Sequence, residues 1–242
     1  EEAGGWERPR IYGPEPLTWR RSSSFETVAQ ECAAVRERVG LSDLSAFAKF
    51  RVEGPGAKAW LNAVCANRMP RTGRTCLTLL LNPKGTIEGE ATIACLGPDR
   101  FYVVTGAPSE RRVWDWLTLH CGVPMDGVTL TNVTDETGIL CVSGPKARDV
   151  LAACTGDDVS NDALPWLHCA QISIDNVPLL ALRLGFTGEL AYELHGPNDR
   201  LDVVWDALWA AGQGHGSAPV GSKAIDSLRI EKFYRGAHEL SN

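Results

Sequence analysis

Two pairs of glutamates occur in segments whose residue pattern is typical of β-strands. Glu88 and Glu90 lie in "NPKGTIEGEATI" (82–93), and Glu189 and Glu193 lie in "GFTGELAYELH" (185–195). Because strand side chains alternate between two faces, the members of each pair are expected to share a face. A carboxylate there can act as a general base, meet a cation or accept hydrogen bonds from a ligand. The alternative is the solvated edge of a half-buried sheet.

Other catalytic and metal-binding patterns are missing from the sequence. "GPGAKAW" lacks the Lys-Ser/Thr pair of a phosphate loop, and "SGPKARD" lacks the second glycine of a nucleophile elbow. A thiolate pair of His168 and Cys169 is disfavoured, because adjacent strand residues face opposite ways. The histidines have no metal-ligand spacing and are interpreted as surface or core residues: His120, His168, His195, His215 and His238. We therefore predict no metal site.

Composition and charge limit the class of partner. The chain has 242 residues, 44% hydrophobic and 22% charged, which is typical of a soluble globular protein. A net charge of −6 without a basic block argues against nucleic acid or an anionic membrane as partner. The apolar stretches are far shorter than the roughly 20 residues that span a bilayer, and no signal-peptide pattern occurs. Since the chain lacks an initiator methionine, we expect a processed product or a piece of a longer protein.

The cysteines show neither a CxxC pair nor a zinc-type spacing. Most lie in apolar runs, where cysteine behaves as a small hydrophobic residue. We expect them to be reduced and structural in an intracellular protein, not paired in disulfides. They are Cys32, Cys65, Cys76, Cys95, Cys121, Cys141, Cys154 and Cys169.

Helix-capping and turn-forming residues indicate the elements that must position the glutamates. Residues 1–22 are rich in Gly, Pro and Arg and are interpreted as an extended lead-in. A helix is predicted next, with capping-box spacing from Ser23 to Glu26 and an end at Gly40. The run "AKFRVEG" then alternates as a strand should. Hairpins are predicted to turn at 83–85, 97–99 and 175–176.

A weak internal repeat indicates the fold class. The segments 52–65, 142–154 and 194–208 each have the pattern of a strand, a Gly-Pro turn and a helix. Proline suits the first turn of a helix, because its missing N–H costs little there. The repeat predicts an α+β fold with antiparallel sheets beneath helices. We expect the lead-in at 1–22, a first α+β module at 23–140 with the acidic hairpin, and a second at 141–242 with the Glu193 segment.

Four ordered motifs carry a family resemblance. They are "GGWERP" with the following "ECAAVRERVGLSDLSAFAKFRVEGPGA", then "NPKGTIEGEATI", "GFTGELAYELH" and "DSLRIEKFYRGAHEL". Together they resemble the folate-binding part of dimethylglycine and sarcosine dehydrogenases, which are related to the glycine-cleavage T-protein, an aminomethyltransferase. The resemblance implies a T-protein-like α+β fold, in which domains surround a central channel that holds tetrahydrofolate. We expect that the family's C-terminal β-barrel domain is not part of residues 1–242.

The resemblance also implies roles for the glutamates. Glu193 matches the glutamate that binds the pterin ring, whose ring N–H and exocyclic amine can both donate to one carboxylate. Tyr192 is expected on the opposite, core-facing side of that strand. Glu90 matches the catalytic acid of the hairpin, near folate N5 and N10, with Glu88 as the alternative if the register slips.

Further positions are implied to line the folate pocket, and some depart from the family pattern. Tyr234 and Arg229 match it. Phe186 and Leu77 stand where the family has tyrosines, and Ile225 stands where the T-protein has an arginine. The catalytic acid, an aspartate in the family, is a glutamate here and reaches one methylene further.

The resemblance implies that the chain is a transferase enzyme. It would be the tetrahydrofolate-dependent one-carbon (aminomethyl) transfer module of a dimethylglycine- or sarcosine-dehydrogenase-like protein. Its product would be 5,10-methylenetetrahydrofolate. The one-carbon donor would be a methylated amine or a related compound. Since the chain has no dinucleotide-binding glycine motif, oxidation would belong to an FAD-dependent domain or subunit outside it. The alternatives are a tetrahydrofolate-dependent N-, O- or S-demethylase, and a non-catalytic folate-binding or structural domain. The expected location is the cytoplasm or the mitochondrial matrix.

Overall fold

A computed structural model describes residues 2–3, 5–15, 18–20, 22–120, 123–236 and 239. The α-helices of this part are α1 Ser24–Glu37, α2 Ala57–Val64, α3 Glu110–Asp115, α4 Ala147–Cys154, α5 Leu201–Gly212 and α6 Ser222–Glu231. The strands are β1 Glu2–Ala3, β2 Trp6–Glu7, β3 Gly40–Asp43, β4 Ala48–Glu53, β5 Thr75–Leu81, β6 Ile87–Gly97, β7 Arg100–Thr105, β8 Thr129–Asn132, β9 Thr137–Ser143, β10 Cys169–Ile174, β11 Val177–Leu182, β12 Ala191–Pro197 and β13 Ala218–Pro219.

Two antiparallel-rich sheets form the body of the fold. One has five strands in the order β5-β6-β7-β4-β8, and the other has six in the order β10-β11-β12-β9-β3-β13. Only the short β13–β3 pairing is parallel among the described strands. The two-residue strands β1 and β2 form a separate ribbon within the predicted lead-in. The predicted class, α+β with antiparallel sheets, is confirmed.

Three buried clusters show how the layers are stacked. Tyr192 and Leu194 of β12 pack in a core with α4 and α5, which covers one side of the six-stranded sheet, as the strand alternation predicts. Phe50 of β4 lies in a second core, with α2 and α3 on the outer side of the five-stranded sheet. A third core contains Tyr102 of β7 and Leu182 of β11, and therefore joins the inner faces of the two sheets. The order is helix, sheet, sheet, helix.

The predicted strand, Gly-Pro and helix repeat is present in each segment. It consists of β4 with α2, β9 with α4, and β12 with α5, where a short 3-10 turn (Asn198–Arg200) precedes the helix. Gly54 and Gly144 have φ values of +119° and +124° at the first two turns. A Cβ atom at Gly144 would lie 2.6 Å from the carbonyl oxygen of Arg38, so only glycine fits this turn.

Replacing Gly144 with alanine is expected to lower the free energy of unfolding by at least about 2 kcal/mol, because backbone strain and the close approach to Arg38 add. Gly85→Ala is the matched control. Gly85 also has a positive φ (+78°), but nothing lies within 4 Å of its Cβ position. Only about 1 kcal/mol is expected there. Urea unfolding of both variants measures the difference, and equal losses would contradict the packing argument.

The hairpin turns agree with the sequence prediction, whereas both ends of α1 differ from it. Asp175 and Asn176 have φ values of 48° and 62°, as a type I′ turn between β10 and β11 requires. Ser23 has helical dihedral angles and makes no side-chain cap hydrogen bond, so the predicted capping box was wrong. The helix ends at Glu37, and Gly40 instead begins β3, where its missing side chain leaves room for Val35 and Val220.

The predicted division of the chain at 140/141 stays a prediction. This position falls within β9, which pairs with β3 on one side and β12 on the other. Parts of the quoted motifs, namely residues 4, 237, 238 and 240, lie outside the described residues, as do Cys121 and His238. Within the described ranges, no helix combines the length and apolar character needed to cross a membrane.

Candidate functional site

Glu90 lies on the inner face of the five-stranded sheet. In the β5–β6 hairpin Glu90 pairs with Leu79. Thr92, two residues later on β6, pairs with Leu77. Side chains of facing residues share a face, and the next residue on that face, Ala94, belongs to the core between the sheets. Glu90 is half-buried and Leu77 is 55% exposed. Both predicted residues therefore lie on the side that faces the second sheet.

Glu88 has a different environment from Glu90. The pairing slips between Leu80 and Leu81, so that Gly89 and Ile87 face consecutive residues of β5 and Glu88 is the extra residue of a bulge. The Glu88 carboxylate accepts hydrogen bonds from Asn82 Nδ2 at 2.8 Å and from an Arg112 guanidinium nitrogen at 2.9 Å. The expectation that Glu88 and Glu90 share a face by simple alternation was wrong, because the bulge interrupts it. Through these two hydrogen bonds, Glu88 connects the β5–β6 hairpin to α3.

Glu193 is buried on the inner face of the six-stranded sheet. Its strand neighbours are Leu182 of β11 and Cys141 of β9. Leu182 belongs to the core between the sheets, so Glu193 faces the same side. Only 7% of Glu193 is exposed. Glu189 precedes β12, which begins at Ala191, so the predicted pairing of Glu189 with Glu193 on one strand face was wrong.

A histidine partner of Glu193 is the main feature that the sequence reasoning missed. His195 Nε2 lies 3.3 Å from Glu193 Oε2, and His195 Nδ1 lies 3.2 Å from the hydroxyl oxygen of Tyr102 on β7. Burial, and next the charge of Glu193, raise the pKa of the Tyr102 hydroxyl. The i, i+2 spacing of Glu193 and His195 on a strand was the available signal, since it places both on one face.

An aromatic and cationic cluster brings together three of the predicted pocket residues. The rings of Phe186 and Tyr234 stack at a centroid distance of 6.1 Å, and the Arg229 guanidinium lies 5.7 Å from the Phe186 ring. Arg229 is buried and donates to Asp226 Oδ1 at 2.6 Å and to Glu239 Oε2 at 2.6 Å. Both rings remain partly exposed. A rigid aromatic surface thus forms where α6 ends beside the 185–190 loop.

Lys49 is a buried cation that strand alternation did not reveal. Its Nζ donates to the carbonyl oxygens of Ser45 at 2.7 Å and Thr137 at 2.6 Å, and lies 5.6 Å from the Trp6 ring centroid. Burial lowers the pKa of Lys49 to about 8, although the charges of Glu110, Asp135 and Asp43 oppose this shift.

The protonation of Lys49 is expected to make stability depend on pH. The unfolded chain holds the lysine proton up to its ordinary pKa of 10.5, whereas the folded chain releases it near 8. Between these values the unfolded state binds more protons, so stability rises with pH. Relative to Lys49→Met, the free energy of unfolding of the wild type should therefore increase from pH 8 to 10.5. A flat difference in urea unfolding across this range would contradict the assignment.

The described cysteines are free thiols, and most are poor nucleophiles. Burial raises the pKa of Cys65 to about 12 and that of Cys169 to about 11. For Cys141, which faces Glu193 across the strands, burial and the Glu193 charge also raise the pKa. Thiolate chemistry is therefore unfavourable at these positions near neutral pH.

The residues between the sheets fit a planar heterocycle that carries adjacent N–H donors. Glu193 Oε1 has no hydrogen-bond partner among the described residues, and the buried Thr187 hydroxyl in the neighbouring loop also lacks one there. A carboxylate oxygen and a hydroxyl can both accept hydrogen bonds from such a ring. The described side chains form no cluster suited to a metal ion. A separate cavity of about 330 Å³, lined by Trp6, Asp43 and Trp205 among others, contains none of the predicted site residues.

Comparison with known proteins identifies the family. The model of the GCVT N-terminal domain matches residues 1–242. The chain belongs to the GCVT N-terminal domain family. The predicted resemblance to the T-protein and to dimethylglycine dehydrogenase is thereby confirmed, as is the predicted type of domain, a folate-dependent aminomethyltransferase type.

In similar proteins the matching region is part of a longer chain. Human mitochondrial dimethylglycine dehydrogenase is 35% identical over 237 residues, which cover 96% of this chain and 27% of that protein. The 4-methylaminobutanoate oxidase (formaldehyde-forming) of Paenarthrobacter nicotinovorans is 36% identical over 241 residues, covering 97% and 29%. The chain thus spans less than a third of the length of either relative.

A solved structure supports the T-protein-like fold directly. The glycine cleavage system aminomethyltransferase T from Bartonella henselae superimposes with a TM-score of 0.78 at 25% identity. The superposition covers 96% of this chain and 58% of that structure. The arrangement of two sheets and their helices is therefore that of the T-protein domain.

Proposed function

We propose that this GCVT domain binds tetrahydrofolate between its two sheets and transfers to it the one-carbon unit of an N-methyl amine that an FAD-dependent domain or subunit has already oxidised to the iminium, giving 5,10-methylenetetrahydrofolate and releasing the demethylated amine. The observation that carries the proposal is the pair of carboxylates on facing sheets. Glu193 lies on the inner face of one sheet, and Glu90 lies on the inner face of the other. A ligand between the sheets would meet both.

Glu193 would recognise the pterin ring. Its carboxylate is buried, is oriented by His195 through Oε2, and has Oε1 available for ligand donors. The ring N–H and the exocyclic amine of a pterin lie side by side and can donate to one carboxylate, as a guanidinium does. In a site with little water, such charge-assisted bonds are stronger than neutral ones, and they fix the orientation of the ring.

Glu90 would act on the proton of the reacting amine. Bound tetrahydrofolate supplies the nucleophilic amine that captures the one-carbon unit. Glu90 would accept the proton which that amine loses, and its charge would stabilise positive charge that develops nearby. Thr105 Oγ1 donates to the backbone carbonyl of Glu90 at 2.7 Å, which fixes the main chain at this position. The extra methylene, relative to an aspartate, would move the carboxylate further into the space between the sheets.

Phe186, Tyr234 and Arg229 would form a wall of the folate pocket. Stacked, partly exposed rings offer a flat apolar surface to an aromatic ligand. Arg229 would stabilise this wall rather than bind the ligand directly, because Asp226 and Glu239 already occupy its guanidinium. Leu77, on the same face as Glu90, would add apolar contact opposite this wall.

The names of two relatives support a proposal for the one-carbon source and the partner. The two relatives carry the names of a dimethylglycine dehydrogenase and a 4-methylaminobutanoate oxidase, so both names refer to N-methyl amines. This favours an amine over an ether or a sulfonium compound as the methyl donor. Oxidation of the donor would belong to an FAD-dependent domain or subunit outside residues 1–242. The mitochondrial matrix is proposed as one location, with the cytoplasm as the other, since the human relative is a mitochondrial protein.

Calorimetric titration with 5-formyltetrahydrofolate, a stable reduced folate, tests the proposal. We expect saturable binding with one ligand per chain. 5-Formyltetrahydropteroic acid, which lacks only the glutamate tail, serves as the matched ligand and should still bind if pterin recognition dominates. Absence of heat with both ligands, from a chain shown by circular dichroism to be folded, would contradict folate binding.

A further inference from the structure

Three buried polar side chains form a hydrogen-bonded line across the boundary between the sheets. Tyr102 comes from β7 of the five-stranded sheet, and His195 and Glu193 come from β12 of the six-stranded sheet. Each is at least nine-tenths buried. The Tyr102 and His195 rings meet edge to face at a centroid distance of 5.3 Å. Buried polar groups of this kind are ordered by their partners, so the line fixes side-chain positions on both sheets.

The chemistry of the end groups decides where the protons are. An ionised carboxylate only accepts hydrogen bonds, so the His195 Nε2 that faces Glu193 Oε2 must carry a proton. In a neutral imidazole the other nitrogen is then an acceptor. With a neutral ring, Tyr102 would donate its O–H to Nδ1. The direction of donation runs from Tyr102 through His195 to Glu193.

The geometry points to His195 as the positioning residue of the pterin-binding carboxylate, with Tyr102 holding it as the neutral Nε2–H tautomer. This inference rests on the proposed function, since it requires that Glu193 binds the pterin. His195 donates to Oε2 and fixes the carboxylate, and the neutral imidazole leaves the full negative charge of Glu193 for the ligand. An imidazolium would instead neutralise that charge.

The residues around this line include both apolar and charged side chains. Leu180 and Ile139 flank His195 on the neighbouring strands and do not titrate. Titratable or charged residues on the facing surfaces of adjoining strands include Glu90, Cys141, Cys169, Arg51 and Lys49. The two thiols stay protonated near neutral pH because burial raises their pKa values, whereas burial lowers the pKa of Lys49 to about 8. The positive charge of Arg51, opposite Tyr102, is constant.

The tautomer of His195 tests the first step directly. A long-range proton–nitrogen NMR spectrum of the ¹⁵N-histidine-labelled chain at pH 7.5 would show it, with His195→Gln used to assign the signal. We expect a neutral ring protonated at Nε2. A ring protonated at Nδ1 alone, or at both nitrogens, would overturn the inference. The measurement needs no ligand, and the variant serves only to assign the signal.

Folate binding tests the second step. His195→Gln keeps a donor near the Nε2 position and should bind 5-formyltetrahydrofolate within about threefold of wild type, whereas His195→Leu should bind about tenfold or more weakly. Tyr102→Phe removes the donor to Nδ1, so the His195 ring loses the partner that fixes its tautomer. In the same NMR experiment this variant should populate the Nδ1–H tautomer as well, and its folate binding should be about fivefold or more weaker than that of wild type at pH 7.5.

The possible failures are distinguishable. If His195→Leu binds as wild type while Glu193→Gln does not bind, the positioning role is overturned and the proposed function stands. If Tyr102→Phe keeps the Nε2–H tautomer and binds folate as wild type does, the role of Tyr102 is overturned. If the folded wild type does not bind at all, the proposed function fails, and the role of His195 toward a ligand fails with it, whatever its tautomer.

Discussion

Glu193→Gln is expected to weaken the binding of 5-formyltetrahydrofolate by at least about tenfold, equivalent to about 1.4 kcal/mol. The amide removes the negative charge and presents an N–H₂ group where the pterin needs an acceptor. A buried donor of the ligand would then be left unpaired, at about 1–3 kcal/mol. Isothermal titration of the two proteins side by side measures the change.

Glu189→Gln is the matched control for this substitution. Glu189 lies in the same sequence motif and undergoes the same chemical change, but it precedes β12 and does not share the buried face of Glu193. Its binding should stay within about twofold of wild type. If both variants bind alike, or if Glu193→Gln binds as wild type, Glu193 does not recognise the pterin.

Glu90→Gln is expected to lower one-carbon transfer by about 10²-fold or more while folate binding changes little. The amide has nearly the same size but cannot accept a proton. The assay supplies the chain with an FAD-dependent dehydrogenase that oxidises an N-methyl amine. It then measures the fraction of the one-carbon unit that is recovered on folate rather than as free formaldehyde.

Glu88→Gln is the control for the hairpin. Glu88 joins Asn82 and Arg112, so its replacement is expected to lower stability without removing transfer. Unchanged transfer in Glu90→Gln, with folate still bound, would contradict the catalytic role of Glu90. The non-catalytic folate-binding alternative would be favoured if the wild type itself binds folate but transfers nothing.

The strand, Gly-Pro and helix units and the hairpins were predictable because their signals are local. Glycines 54 and 144 mark turns that need positive φ, and alternation marks the strands that precede them. The pairing of β3 with β9 and with β13 was not predictable, since it joins segments far apart in sequence. The end of α1 was misplaced for the same reason: Gly40 is required by its contacts with Val220 and Val35 and not by a helix cap.

The candidate site was predictable only in part. The resemblance identified Glu90 and Glu193, and the alternation of β12 placed Tyr192 in the core. The bulge at Glu88 left no trace in the sequence, because it depends on how β6 pairs with β5. The sequence analysis interpreted His195 as a surface or core residue. Its partner Tyr102 was not recognisable, because it lies on the other sheet and 93 residues away in the sequence.

A crystal structure of this chain with 5-formyltetrahydrofolate is the most direct test of where the ligand binds. We expect the pterin between the two sheets, with its ring N–H and exocyclic amine within hydrogen-bond distance of the Glu193 carboxylate, and with Glu90 on the side of the reacting nitrogens. A pterin seated elsewhere, for example in the cavity lined by Trp6 and Trp205, with Glu193 bound only to His195, would contradict the account.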